Sequence, residues 1–569
     1  MRVAAIWTAA AVPPVVDELE RGGLPRPVAI LLARRGVTSL ASARRFLAPS
    51  REHFSSPFDL TGIAAAVERI LRARRDGERV AIVGDYDADG VTATALLATV
   101  MRSLDIATET ILPDRFQDGY GFQPRHAELA AAGGCRLLLT VDCGITSIPA
   151  VELAKRLGIE VILTDHHLPG PDLPAADTIV NPHVGECDGA GRELTGVGLA
   201  LKLAVALLER VDRPVPLEAL LRIACIGTIA DVAPLLEENR TITALGLAAL
   251  AQARSPGLRS LLRVAQVAPP VRADDVAFRL APRLNAAGRL ASAELALELL
   301  VTRDERRARE LAEQLDRLNR ERQGLELRAV DEAKAHFLER ATEPRILVAW
   351  SRTWHRGVVG IAAGRLAREL CRPVILLAQS DGTAVGSGRS VPGVDLHRFV
   401  EPWQERLERF GGHAQAIGLT ASVGELERLR GEWEDRAAAW PEEWLRPRLE
   451  YELELSPAEI GTDLLHQLGK LAPHGAGNPE PTVRLRSLVA AKAPRLFGRD
   501  HLEVESRRAD SDSPAIRLVA WGWASRRALF EQPFEAIVAL RSDPRAFGGW
   551  SATVIDAQPA DACKNPATA

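Results

Sequence analysis

Cysteine is scarce in this chain: six among 569 residues, at 135, 143, 187, 225, 371 and 563, with no CxxC pair and no even spacing. That scatter excludes a disulfide framework and a zinc ribbon, and it fits a reducing cytoplasm. Long apolar runs are lacking too. No stretch of roughly eighteen apolar residues occurs, so nothing is fit to span a bilayer. The apolar segment over residues 1–12 is short for a secretory leader and meets Pro13 and Pro14 at once. Neither sign of charge dominates: 71 basic residues face 75 acidic ones, which excludes a strongly basic nucleic-acid coat but not a local basic groove. Arginine far outnumbers lysine, a bias that bidentate phosphate recognition and genomic base composition explain equally well. There is no internal repeat.

What is present is a long chain with alternating α and β patterns. A single core cannot serve this length, and about three or four domains are expected. Short helical patterns over residues 1–59 read as a helical lead-in. From residue 60 to 303 apolar strands (80–83, 136–141, 160–164) alternate with helices, the pattern of a parallel sheet covered on both faces. Residues 304–340 carry Leu311, Leu315, Leu318, Leu325 and Ala329 at helical spacing with no proline, predicting one long connecting helix. A second α/β segment follows over 341–445, with strands at 345–349 and 374–377 and several glycine turns. Short β runs over 446–558 predict a small barrel, and residues 559–569 read as a disordered tail.

Four acidic clusters carry the chemistry: Asp85-Tyr86-Asp87-Ala88-Asp89-Gly90, Asp142-Cys143-Gly144, Asp165-His166-His167 and Asp231-Val232-Ala233-Pro234. The first three lie just after predicted strands, where ligands bind in open parallel sheets. A calcium EF-hand also begins D-x-D-x-D-G, but its twelfth position must be an acid and here it is Leu96. Read singly, Asp142 could be a helix N-cap and the Asp85–Asp89 turn a solvated loop. Read together, converging carboxylates repel by about 4 kcal/mol per pair at 4 Å separation and an effective dielectric near 20, so a fold gathers them around cations. Aspartate oxygens with one or two imidazoles suit manganese or magnesium better than structural zinc.

In order and spacing these clusters resemble motifs one to four of the DHH phosphoesterase superfamily, closest to its bacterial single-strand-specific exonucleases. Supporting the resemblance along most of the chain are Pro282-Arg283-Leu284-Asn285-Ala286-Ala287-Gly288-Arg289, Trp354-His355-Arg356-Gly357, Gly386-Ser387-Gly388-Arg389, Gly411-Gly412-His413 and Pro473-His474-Gly475-Ala476-Gly477-Asn478-Pro479. The resemblance implies two α/β domains, a DHH catalytic domain with a parallel sheet and a DHH-associated domain, joined by the long helix and followed by an oligonucleotide-binding (OB) type β-barrel. It implies two Mn2+ or Mg2+ ions. One would be held by Asp87 and Asp142, with Asp85 contributing or behind them, and the other by Asp89, Asp142, His166 and Asp231. Asp165 is expected to orient His166, and His167 to contact the scissile phosphate or its leaving oxygen. Arg115, Arg283, Asn285, Arg289, His355, Ser387, Arg389, Gly411, Gly412 and His413 are expected on the substrate. In the barrel, Phe497, Trp521 and Trp523 are stacking candidates. The implied activity is 5′→3′ degradation of single-stranded DNA to mononucleotides in repair and recombination, by a cytoplasmic monomer working with a single-stranded-DNA-binding protein and a helicase. The rivals are a DHH enzyme of short oligonucleotides or cyclic dinucleotides, and a catalytically silent scaffold relative, which would have lost metal ligands.

Overall fold

The computed structural model describes residues 5–119, 121–185, 191–338, 344–509, 515–542 and 550–560. Most of the expected tail, from 561 onward, lies outside the described residues. The chain divides into two compact units, one comprising Met1–Thr8 with Arg317–Glu450, the other Ala9–Asp316 with Tyr451–Ala569.

The larger unit contains a five-stranded sheet in the order Thr108–Ile111, Arg79–Val83, Cys135–Val141, Glu160–Thr164, Thr178–Val180, every pairing parallel. Its central strands are apolar almost without interruption because helices cover both faces: Val80 to Val83, Leu137 to Leu139 and Val161 to Leu163 are fully buried. The Ile63–Asp76 helix buries Ile63, Val67 and Ile70 and stops at Gly77, whose φ of +67° closes the last turn. Parallel strands all end on the same side, so the loops after 83, 141 and 164 emerge together. That common edge carries three of the four acidic clusters. The fourth departs from the pattern: the apolar run before Asp231 is a helix, Leu217–Ala230, which ends at that aspartate.

The same unit holds the barrel. Strands Thr482–Ala490, Phe534–Ser542, Trp550–Pro559, Ile516–Ala520 and His501–Arg508 follow one another by hydrogen bonding, and the first also pairs with the last, closing the ring. The lead-in helices Val16–Arg21, Arg26–Arg34 and Leu40–Leu47 share the barrel's core, with Leu19, Leu31 and Phe46 packed among Leu453, Val483, Phe530 and Phe534. The lead-in is not wholly helical: Ile6–Ala9 is a strand paired with Arg448–Tyr451.

The smaller unit is built on a mixed sheet ordered Arg409–His413, Ala416–Ser422, Thr383–Arg389, Val374–Ser380, Leu347–Ser351. Only the last two strands run parallel. The expected long helix is Glu305–Leu338. No helix among the described residues is long and apolar enough to cross a membrane.

Candidate metal centre

The loop after Arg79–Val83 is shaped by close packing. Asp87 caps the Ala88–Ser103 helix, accepting from the amides of Asp89 at 2.9 Å and Gly90 at 3.1 Å. A Cβ on Gly90 would sit 2.5 Å from the Asp85 amide nitrogen, so only glycine lets the helix start fold back on the loop. Asp142 stands at the next strand end with φ of +63°, the left-handed region that costs a side-chain-bearing residue of order 1 kcal/mol or more. Its amide donates to the Thr164 carbonyl at 3.1 Å, extending the sheet by one residue.

These strand ends and the helix end at Asp231 bring together three groupings that could hold a metal ion, with donor atoms within 4.8 Å of one another: Asp85, Asp87 and Asp142; Asp89, His166 and Asp231; and Asp142, His166 and His167. Asp142 is common to two of them. Asp85, Asp89 and Asp142 are each no more than 2% exposed. His166 Nε2 lies 3.1 Å from Asp142 Oδ1, 3.8 Å from Asp231 Oδ2 and 3.9 Å from Asp89 Oδ2. Yet neither that nitrogen nor Asp142 Oδ1 is aligned for a hydrogen bond, and both, with Asp85 Oδ1, are buried without a hydrogen-bond partner. Burial first, then neighbouring charge, makes ionisation costly here. Burial and Asp87 push Asp85 up to about 8; burial and Asp87 likewise push Asp89 up to about 7. Asp231 rises to about 7 through burial and Asp89, and Asp142 stands well above the carboxylate range through burial and the four surrounding aspartates. Three orphaned ligand atoms inside a ring of destabilised carboxylates fit divalent cations. Oxygen-dominated donors with one imidazole suit hard ions such as Mn2+ or Mg2+. Cys143, beside Asp142, is turned the other way, its Sγ 3.7 Å from the Val83 carbonyl.

The adjacent histidines are held in opposite states. The expectation that Asp165 orients His166 is not what the fold does: Asp165 Oδ1 meets His167 Nδ1 at 2.7 Å and the His167 amide at 3.0 Å, while Oδ2 accepts from the Ile145 amide at 2.9 Å. The turn after residue 164 folds His167 back over Asp165 and sends His166 across to Asp142. Burial works against the His167 cation, but the hydrogen bond and charge of Asp165 outweigh it and raise His167 to about 9. Burial lowers His166 instead, leaving it a neutral ligand.

Parts of the cradle carried no acidic signal in the sequence. Asp89 accepts from the Gly196 amide at 2.7 Å and the Val197 amide at 3.0 Å, at the start of the Gly196–Arg210 helix. A Cβ on Gly196 would lie 2.4 Å from Asp142 Cβ, and one on Gly227 would lie 2.6 Å from Asp89 Oδ1. Glycines in a helix facing a carboxylate are the signal that could have found them.

The expected substrate residues divide by surroundings. Arg115 lies over the Tyr86 ring at 4.8 Å, beside the first ligand grouping, and burial dominates the raised Tyr86 pKa while Arg115 and Arg289 act to lower it. Asn285 accepts from the Ala88 amide at 2.7 Å, so it steadies the first acidic loop. Arg283 is committed elsewhere, donating to Asp316 at 2.9 Å and to the Arg279 carbonyl at 2.6 Å. In the smaller unit, Ser387 Oγ accepts from Arg389 at 2.5 Å, and Gly360 leaves room for both side chains. Gly411, Gly412 and His413 form an edge strand open to solvent, and His355 Nδ1 accepts from the Gly357 amide. In the barrel, Trp521 is 56% exposed, its ring 5.4 Å from that of Phe497. Trp523 is only 3% exposed and packs on Phe530, so it belongs to the core rather than to a stacking surface.

Comparison with known proteins follows the same outline. Residues 79–228 match the DHH family N-terminal domain, 343–439 the DHHA1 domain and 451–548 the RecJ OB domain. The chain is 38% identical over 508 residues to the single-stranded-DNA-specific exonuclease RecJ of Escherichia coli, covering 84% of this chain and 86% of that one. It is 36% identical over 494 residues to the enzyme of the same name from Bacillus subtilis, covering 86% of this chain but 62% of that longer one. The crystal structure of RecJ in complex with Mn2+ from Thermus thermophilus superposes with a TM-score of 0.80 at 30% identity, over 97% of this chain and 79% of that one. Domain content, the order of the acidic clusters and likeness along most of its length place this chain in the RecJ family of DHH phosphoesterases.

Proposed function

We propose that this chain is a two-metal-dependent 5′→3′ exonuclease that degrades single-stranded DNA to mononucleotides in repair and recombination. One observation carries the reading: buried ligand atoms of Asp85, Asp142 and His166 without hydrogen-bond partners, in groupings that share Asp142. Asp85, Asp87 and Asp142 would hold one ion, and Asp89, Asp142, His166 and Asp231 the other. Bound there, such ions would acidify a water toward neutral pH and stabilise the negative charge of the phosphate. Relatives whose structures carry Mn2+ or Mg2+ support that choice of ion.

The chain's own groups do the rest. Asp165 engages His167 Nδ1 and keeps the ring protonated, which suits His167 to donate to a phosphate oxygen or to protonate the leaving oxygen. Its ring, 44% exposed, is open to an incoming strand. Arg115, beside Tyr86, is placed to neutralise phosphate, and Ser387 with Arg389 presents a hydroxyl and guanidinium suited to the same task. Asn285 and Arg283, bonded within the fold, act as supports instead. Trp521 and Phe497 offer faces on which bases of a single strand can stack. We place the enzyme in the cytoplasm as a monomer, served by a single-stranded-DNA-binding protein and a helicase.

The test is purified chain with Mn2+ offered 5′-phosphorylated single strands, the matching duplex, and dinucleotides, beside Asp142→Ala. The expected result is mononucleotide release from single strands alone. Hydrolysis confined to dinucleotides would overturn the reading, and activity surviving in Asp142→Ala would overturn the shared ligand.

A further inference from the structure

Directly behind the metal ligand Asp231 the chain makes an unusual exit. Val232 has φ of +62°, rare for a β-branched residue, and stands 71% exposed. Three residues on, the Leu235 amide donates at 2.7 Å to the carbonyl of Ala476, far away in the segment that leads into the barrel. Packing around this bond is tight. A Cβ on Gly475 would lie 2.7 Å from Leu235 Cδ1, and one on Gly477, whose φ is +68°, would lie 3.1 Å from Pro234 Cβ. The Gly475–Asn478 turn therefore backs the loop that carries Asp231, and the glycines are there because backbone must meet side chain.

Arg240, 2% exposed on the next helix, Glu237–Leu250, holds that turn. Its guanidinium donates to the carbonyls of Phe46 at 2.7 Å, Leu471 at 2.9 Å, Ala472 at 2.8 Å, Lys470 at 3.1 Å and Pro473 at 3.5 Å, and lies 3.8 Å over the Phe46 ring. All five of its N–H donors are accounted for, and every acceptor is a carbonyl. No carboxylate balances the charge among these contacts, and burial pushes the guanidinium down to about 10. A second buried arginine completes the brace: Arg35 donates to Asn478 Oδ1 at 2.5 Å and to the Pro479 carbonyl at 2.7 Å, while Asn478 Nδ2 reaches back to Leu471 and Pro473. A buried cation without a counter-charge is a poor stabiliser. Its geometry is suited to fixing one chain reversal in one place.

We propose that Arg240 is a positioning residue for the second ion: by clamping residues 470–473 it fixes the Ala476 carbonyl under Leu235, and so the reach of Asp231. The lead-in and barrel segments thereby form part of the support of the metal centre. This rests on the two-metal reading above. The arrangement is decided by direct titration of the full chain with Mn2+ alone by calorimetry, with thermal melting, for the parent, Arg240→Lys and Asp231→Asn. Lysine keeps the charge but cannot reach five carbonyls. The expected result is that Arg240→Lys weakens one of the two ions by about tenfold or more, the scale of lost outer support at metal sites, matching the ion that Asp231→Asn weakens. Lower melting temperature with both affinities unchanged, or equal loss at both positions, would overturn the proposal. If Arg240→Lys does not fold, Gly475→Ala, which presses on Leu235 alone, is read by the same criterion. A parent chain that takes up fewer than two ions would instead overturn the two-metal reading itself.

Discussion

Two sheets in this molecule solve opposite problems. The all-parallel sheet of the larger unit ends its strands on one side, where aspartates and His166 converge with buried atoms left unpartnered. The mixed sheet of the smaller unit turns back on itself through antiparallel pairs, and its polar residues satisfy one another or face water: Arg389 bonds Ser387, and Arg409–His413 is an open edge. Topology dictates the difference. Parallel strands concentrate charge at one edge, whereas antiparallel strands let polar groups pair with one another or face water.

That contrast is broken most severely at Asp142. Asp142→Asn is expected to lower activity on the order of 10³-fold, the scale of losing a principal electrostatic stabiliser, while raising the melting temperature in chelator, because folding no longer has to hold a proton on a buried carboxyl that the unfolded chain releases. Activity assays paired with melting curves check both signs. Asp165→Asn comes next. His167, raised to about 9, is protonated below that value, so the activity it supports is present there and lost as pH rises through it. Without Asp165 this limb moves down toward about 6.5, which alone costs about fourfold at pH 7, and with the ring no longer held in orientation the total loss is about 10²-fold, read from kcat/KM against pH.

Smaller and more specific is the pH dependence of the metal-free protein. Asp85 at about 8 and Asp89 and Asp231 at about 7 hold protons in the folded chain that the unfolded chain releases near 3.9. The folded state therefore binds more protons between those values, and stability in chelator is highest at the acid end and falls as pH rises from about 4 to about 8. Saturating Mn2+ should flatten the slope, which melting temperatures at several pH values will reveal. The smallest effect is expected in the other sheet. Arg389→Lys should raise KM by about tenfold, near 1.4 kcal/mol for one lost bidentate contact, and leave Mn2+ affinity untouched. A change in Mn2+ affinity would mean that the two sheets do not divide the work in this way.

How much of this was legible depended on whether the determining contacts were local. The strands 79–83, 135–141 and 160–164 announce themselves because a sheet covered on both faces must be apolar throughout, and the acids directly after them could be placed on one edge from topology alone. Asp231 was legible as part of the acidic cluster but not as a helix terminus, since a short apolar run does not distinguish helix from strand. The partner of Asp165 was misread because two adjacent histidines leave a turn in directions set by its backbone, which order in the sequence does not encode. Gly196, Gly227 and Arg240 were silent for a different reason: their meaning lies in residues distant in sequence that they meet only when folded. The same holds for the lead-in helices, whose apolar faces match the barrel core more than four hundred residues away.

The bond between Leu235 and Ala476 also imposes an order in time. A ribosome finishes the strands and the acidic loops first, and the acceptor for the loop behind Asp231 emerges only with the segment leading into the barrel. At about 5–20 residues per second the interval is on the order of ten to fifty seconds. For that period the nascent chain holds its acidic cluster without the Ala476 contact, which forms only as the barrel end of the protein is being made.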